Sequence, residues 1–323
     1  MIEFIKIFFS MISGIIPVRK WRHKIRELGG RAIDAWLGRK LPRGAILVHS
    51  NAGGLCDQIN TFMLLAQMRD KNPDAPIFLT VSGFLKQQFR KFAIVNPNDI
   101  APMLDNNISA RRPRKLELLN YDILEYMNEN DIKFMTGNFS LRRKWRWRAL
   151  DADKLDRQKI QQILKLIKPL SAANTAKLND IKRMENSICM HIRRGDYMAQ
   201  SGGKTILPSY YANALREILS QAGWETARVF VFSEELDWAE KNIDFLGLPH
   251  EFVNINDTNN PAPELELMRA CRHYIRSVGQ MARMAAYLNP RDPIVISPAK
   301  SDYYTESGDI VNKSKFHHLR NVK

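Results

Sequence analysis

Two adjacent arginines, Arg193 and Arg194, stand in the segment His191-Ile-Arg-Arg-Gly-Asp-Tyr197. A guanidinium keeps its charge at any physiological pH and offers a planar fork of donors that fits phosphate. Two in a row at a strand's carboxyl end point to an anion held near them. Gly195 would let the backbone turn sharply, and Asp196 offers a carboxylate to hold one arginine in place. The plainer reading is a surface Arg–Asp pair worth about 0–1 kcal/mol and no function. A second candidate is the Gly-rich run Asn51-Ala-Gly-Gly-Leu55, containing Gly53 and Gly54, with Asp57 just beyond it. A carboxylate there can act as general base on a hydroxyl, or can cap the start of the next helix.

The elements around these residues explain why position matters. Ala45 to His49 reads as a short buried strand, followed by the Gly turn and an apolar helical stretch from Ile59 to Met68. A strand at Ile77 to Val81 and a helix over 84–93 follow. Residues 97–150 have no readable topology, and 154–183 read as one long amphipathic helix with a break at Pro169. Beyond it the rhythm is regular. Strands at Ser187–Ile192, Arg228–Phe232, His250–Ile255, His273–Ser277 and Pro293–Ile296 alternate with helices at Ser209–Gln221, from Asp237, from Glu264 and up to Leu288. Successive β-α units predict an α/β fold with doubly wound parallel sheets. Ligands bind such sheets beyond the carboxyl ends of the strands, where the arginine pair falls. The expected divisions are residues 1–43 as an N-terminal segment, 44–170 as a first α/β domain and 171–323 as a second.

Bulk properties limit the classes. The chain has 323 residues, 45% hydrophobic and 26% charged, which suits two globular domains rather than a disordered or repetitive protein. Net charge is +15, and residues 1–45 hold ten Lys/Arg against three acidic residues, a local +7. Such a balance favours a phosphorylated substrate, an acidic membrane face or nucleic acid. Residues 1–18 (MIEFIKIFFSMISGIIPV) are apolar but short and carry Glu3 and Lys6. A spanning helix needs about 20 apolar residues, and a secretory signal puts its basic residues first. The order here suits a segment lying in the interface, with Phe4, Phe8 and Phe9 inserted and Arg19 to Arg26 on anionic headgroups. A helix packed on its own protein is the alternative. Cys56, Cys189 and Cys271 are far apart and set in apolar surroundings, so neither a disulfide framework nor a zinc site is expected.

The segment His191–Tyr197 resembles the HxRRGDY signature of the glycosyltransferase family 11 fucosyltransferases. Gly53-Gly-Leu-Cys-Asp-Gln58 is similar to that family's GGLGNQ, and Tyr210-Tyr-Ala-Asn-Ala214 to its YYxxA. Phe230-Val-Phe-Ser-Glu-Glu-Leu-Asp-Trp238 resembles FVFSDDIEW, and Leu265 to His273 resembles L-x-LMSLCKH. Ile296-Ser-Pro-Ala-Lys300 resembles the closing APK-like segment. The resemblance implies a GT-B arrangement of two Rossmann-like domains facing across a cleft, with the donor held by the second. It implies inverting transfer of L-fucose from GDP-fucose to a galactoside 2-hydroxyl, with no metal cofactor. Arg193 and Arg194 would then meet the diphosphate, while His191, Asp196 and Tyr197 shape the loop. Ser233, Glu234 and Glu235 stand where the family has Ser-Asp-Asp, near the nucleoside.

The chain departs from that pattern in one stretch. After His273 the family reads N-I-I-A-N-S-T-F-S-W-W-G-A-W-L-N, whereas this chain reads Tyr274-Ile-Arg-Ser-Val-Gly-Gln-Met-Ala-Arg-Met-Ala-Ala-Tyr-Leu-Asn289. Ser277, Gly279 and Gln280 remain donor-side candidates, because backbone N–H groups from Val278 to Met281 at a helix start can cradle a phosphate. Gly279 would ease a close approach. Arg283 reads either as a phosphate contact or as a solvated residue. Asp57 replaces an asparagine of the family. Asp151-Ala-Asp153 has the form of a metal-binding DxD but reads better as a helix start. The tract Arg142-Arg-Lys-Trp-Arg-Trp-Arg148 suits either sugar stacking and nucleic-acid contact or a solvated loop. His317-His318 lack metal spacing.

These expectations converge on a transferase building a surface glycan such as lipopolysaccharide O-antigen. Its partners would be a nucleotide-sugar donor, a galactose-containing acceptor, free or lipid-linked, and an anionic membrane surface, with no nucleic acid. It would work on the cytoplasmic face of the plasma membrane. The alternatives are a transferase of the same fold with another nucleotide sugar, and a non-enzymatic basic protein binding nucleic acid or glycans.

Overall fold

The structure is a computed structural model. It describes residues 43–49, 54–80, 124–135, 157–164, 169–195, 204–256, 261–299 and 303–305, with isolated positions at 8, 9, 11, 12, 21, 25, 28 and 166. The expected helix over 84–93, the 142–148 tract, Asp151–Asp153 and His317–His318 lie outside these residues. The chain divides into two units, Met1–Ile167 and Lys168–Lys323.

In the first unit, β1 (Ile46–His49), β2 (Ile77–Thr80) and β3 (Ile132–Met135) form a parallel sheet in that order. Ile46 pairs with Ile77, and Ile77 with Ile132. Ile77, Phe78 and Leu79 are buried in succession, as a parallel strand covered on both faces requires. Helix α1 (Leu55–Lys71) connects β1 to β2 and buries Ile59, Phe62, Met63, Leu65 and Ala66. It begins four residues before the apolar run that announced it. Its N-cap is Gly54, in extended conformation, so the capping role expected of Asp57 is not what is seen. Asp57 instead sits in the first turn, its N–H donating to the Gly54 carbonyl at 3.0 Å, where a carboxylate gains from the helix dipole. Helices α2 (Leu124–Glu129) and α3 (Arg157–Ile163) complete the described part of this unit.

The helical stretch expected over 154–183 with a break at Pro169 is two helices. Helix α3 stops at Ile163, and α4 (Ala172–Arg183) starts from Ser171, whose hydroxyl accepts the Asn174 N–H at 3.2 Å. Pro169 lies between them, and proline disfavours helix in the residue before it.

The second unit carries β4 (Ser187–Ile192), β5 (Lys204–Ile206), α5 (Pro208–Ala222), β6 (Arg228–Ser233) and α6 (Leu236–Asn242). Then come β7 (His250–Phe252), α7 (Pro261–Ala270), β8 (His273–Ile275), α8 (Met281–Tyr287), β9 (Val295–Ile296) and β10 (Tyr303–Thr305). The main sheet runs β7-β6-β4-β8-β9, all parallel. The chain steps outward from β4 through β6 to β7, then crosses back to β8. The order therefore reverses between β4 and β8, the kind of switch point beside which open α/β sheets bind ligands.

One face of this sheet (Ile188, Met190, Ile192, Val229, Val231, Ile275) packs on α5 and α6 through Tyr211, Ala214, Leu215, Ile218 and Ala239. On the other face Cys189, Phe230, Phe232 and Tyr274 are buried, and the Tyr274 hydroxyl lies 3.2 Å from the carbonyls of Arg269 and Cys271 at the end of α7. Burying a side chain of this size contributes about 1.5–3 kcal/mol, so the two faces together fix the edge that carries the arginines. Helix α5 enters on Pro208 and ends on Gly223, whose φ of +66° is left-handed. The antiparallel pair β5–β10 is an element that the strand rhythm did not announce.

Candidate functional site

The two arginines separate at the edge of β4. Side chains alternate along a strand, so His191 and Arg193 leave one face while Ile192 and Arg194 leave the other. On the α6 side, Arg194 is 8% exposed. Its Nε donates to Glu235 Oε2 at 2.9 Å, a terminal nitrogen lies 3.3 Å from Thr205 Oγ1, and the guanidinium stacks 3.9 Å over the Trp238 ring. Ser233 Oγ accepts the Glu235 N–H at 3.0 Å and so sets that carboxylate.

Arg193 sits more openly, its side chain 27% exposed, with one nitrogen donating to Glu234 Oε1 at 2.8 Å. Its backbone N–H donates to Ser277 Oγ at 2.8 Å, which ties the loop after β4 to the loop after β8. These are the two loops that flank the switch point.

The structure gives a reason for glycine at position 195 beyond the expected turn. Gly195 is not among the described glycines of positive φ, so no left-handed turn calls for it. A Cβ there would stand 2.5 Å from Glu234 Oε2, and the missing side chain leaves the Glu234 carboxylate room to lie against the loop. The carboxylates that hold the arginines are thus Glu234 and Glu235, from the loop after β6. Asp196, the expected partner, lies outside the described residues, as do Tyr197 and Gly53. Gly54 and Asp57 belong to the first unit.

Burial and charge shape the rest. His191 is buried with Nδ1 3.4 Å from Ser277 Oγ. Burial first, then the charges of Arg193 and Arg276, push its pKa down to about 3, so the ring is neutral at pH 7. Glu264, in the first turn of α7, has its carboxyl pushed up to about 7 by burial and by the charge of Glu234, with Arg193 opposing. Perturbed carboxyls gather at functional sites, and this one lies within the field of Arg193. Sequence reasoning named Glu264 only as a helix start. The available signal was an acidic residue in the first turn of a helix that opens on Pro261 and Pro263. Thr205 and Trp238 were likewise missed as partners of Arg194.

The loop after β8 is built as a tight entry to α8. Gly279 has φ +95°, a conformation that disfavours any side chain, and Gln280 is the N-cap without a side-chain cap bond. Helix α8 has seven residues, so its dipole is small. Among the described residues no group of His, Cys, Asp and Glu has an arrangement suited to a metal ion. The three cysteines are buried free thiols.

Glycosyl transferase family 11 matches residues 98–315 of the sequence. The chain belongs to that family. The arginine pair, the Ser233–Glu235 loop and the loop after β8 all fall within the matched region. It is 33% identical over 121 residues to the O-antigen biosynthesis glycosyltransferase WbnK of Escherichia coli, covering 36% of this chain and 39% of that one. It is 25% identical over 144 residues to an alpha-1,2-colitosyltransferase of Escherichia coli, covering 43% and 49%. It is 30% identical over 116 residues to galactoside alpha-(1,2)-fucosyltransferase 2 of Pongo pygmaeus, covering 33% and 32%. The aligned stretches thus span less than half the length of each of these family 11 relatives.

Proposed function

We propose that this family 11 enzyme transfers L-fucose from GDP-fucose to the 2-hydroxyl of a galactoside, with inversion, in a surface glycan such as lipopolysaccharide O-antigen. The observation that carries the reading is the split arginine pair at the switch point. Arg193 faces the site from a fixed backbone, and Arg194 locks the loop from behind. In the reaction the acceptor oxygen bonds to C1 of the sugar while the C1–O bond to the diphosphate breaks. Arg193 takes the charge that grows on the leaving diphosphate, a role in which a fixed guanidinium can do a cation's work. The hydroxyl proton passes to a carboxylate, for which Asp57 is the candidate. On this reading transfer survives a metal chelator. Asp57→Asn, which installs the residue the family carries there, should slow transfer and leave GDP binding intact; unchanged transfer, or loss of both, would reject the base role.

A second reading is a related deoxy sugar as the donor's glycosyl group. It is favoured by the similarity to the colitosyltransferase and by Gly279 and Gln280, which stand in place of two hydroxyl residues. A transfer assay with a panel of GDP- and UDP-linked sugars decides. Turnover of GDP-fucose supports the first reading, and turnover of another donor with none of GDP-fucose replaces it.

We also read residues 1–43 as lying on the anionic cytoplasmic face of the plasma membrane, bringing the enzyme to a lipid-linked acceptor. Phe8, Met11, Trp21 and Leu28 are exposed at 49%, 66%, 59% and 50%. Among the described residues no helix is long and apolar enough to cross a membrane. Flotation with vesicles containing phosphatidylglycerol tests it. Replacing Arg19, Lys20, Arg22 and Lys24 by Gln should release the protein, and unchanged flotation would reject the reading.

A further inference from the structure

Arg276 is the first residue beyond β8 and has no part in the reading above. The family pattern given earlier has isoleucine at this position, in the same stretch where its Ser-Thr pair is replaced here by Gly279 and Gln280. The geometry points to a second guanidinium of the donor site: we propose that Arg276 takes a phosphate oxygen of the nucleoside diphosphate beside Arg193. This rests on the reading of this edge as a nucleotide-sugar site.

Four observations place it there. The β4–β8 register pairs Met190 with Ile275, so the next step sets Arg276 opposite His191. Ile275 belongs to the core on the α5–α6 face, and alternation sends Arg276 to the face that His191 and Arg193 share. Arg193 and Arg276 are the two charges that depress the His191 pKa after burial, so both guanidinium groups lie near one ring. The backbone of Arg276 is fixed from both sides. Its N–H donates to the Ile296 carbonyl at 3.1 Å, and its own carbonyl accepts the Tyr210 hydroxyl at 2.7 Å. Its neighbour Ser277 accepts the Arg193 N–H, so the two arginines hang from one rigid frame. Two cations in fixed positions suit the two phosphates of a diphosphate. They would offset the hydroxyl donors that Gly279 and Gln280 lack.

The test compares wild type, Arg276→Ile and Arg276→Lys by calorimetric titration with guanosine, GMP and GDP. Work at pH 8 keeps His191 neutral in every variant, which separates a phosphate contact from an effect routed through that ring. A phosphate contact predicts a loss that grows with ligand charge. For Arg276→Ile, guanosine should bind within about twofold of wild type and GDP at least about tenfold more weakly, with Arg276→Lys recovering part of the difference. Equal losses for all three ligands, or GDP binding unchanged by Arg276→Ile, would overturn the proposal. Inorganic pyrophosphate separates this inference from the reading beneath it. If wild type binds pyrophosphate but not GDP, the guanine donor is wrong, and Arg276 is still judged by whether Arg276→Ile loses pyrophosphate. If wild type binds neither, the inference and the donor-site reading fall together.

Discussion

The two sides of the β4 edge use the same residue type in opposite ways. On one side Arg194 is enclosed by Glu235, Thr205 and Trp238, with a side chain 9% exposed; on the other Arg193 pairs with the more exposed Glu234 and has a side chain 27% exposed. An ion pair that is buried and stacked holds a loop in place. An open pair is worth about 0–1 kcal/mol, so an arriving diphosphate can displace its carboxylate. On the proposed reading one arginine builds the site and its neighbour uses it. Period-2 alternation at a strand end is sufficient to assign adjacent identical residues to the two tasks.

Substitutions can break this contrast. The largest effect is expected at Arg193→Lys, which keeps the charge but loses the fork. Transfer efficiency should fall by about a hundredfold to a thousandfold, with little change in melting temperature. Arg194→Met should show the reverse emphasis. Urea unfolding should report a loss of about 1–3 kcal/mol, because the Glu235 carboxylate keeps its place without its partner. Equal stability losses at the two positions would erase the distinction.

A smaller effect concerns pH. His191 and His273 have folded pKa values pushed down to about 3 and about 4 by burial and by neighbouring arginines. The unfolded chain therefore binds protons first, and stability is lost as pH falls below the ordinary histidine value of 6.5. Glu264 runs the other way. Its folded pKa is pushed up to about 7 against an ordinary 4.5, so it adds stability as pH falls through that window. Between pH 6 and 4.5 two protons oppose one, and these three groups together should lose about 1.4 kcal/mol per pH unit. His191→Gln should flatten that slope by the same amount in urea unfolding at pH 6 and pH 5. The smallest effect is at Glu234→Gln, which removes the internal anion from Arg193. GDP affinity should rise by about fivefold, the equivalent of one open ion pair. A fall in affinity would show that Glu234 positions Arg193 rather than competing for it.

Much of the second unit was legible because its strands are short apolar runs ending in chemistry-bearing loops. Ser187–Ile192 was bounded as observed, since every residue in it is buried and polar Asn186 and Arg193 flank it. The strand expected over His250–Ile255 ends at Phe252, because Asn254 and Ile255 turn outward at the sheet's edge. The β5–β10 pair joins residues about a hundred apart, and no local pattern announces such a pairing. The arginine pair was visible from charge and position, but its division between two faces was not, because that depends on which carboxylates the β6 loop delivers. Glu264 was hidden for a similar reason. Its significance comes from burial and from Glu234, neither of which adjoins it in sequence. Asp57 was misjudged as a cap because the start of α1 was placed at the first apolar run instead of at Gly54.

The most direct test of the division of labour is the GDP affinity of Arg193→Lys and Arg194→Lys, measured side by side with guanosine as the reference ligand. The account predicts that Arg193→Lys weakens GDP by about tenfold to a hundredfold and leaves guanosine unchanged. Arg194→Lys should weaken both ligands by the same small factor. A GDP-selective loss at Arg194 equal to or larger than that at Arg193 would contradict it.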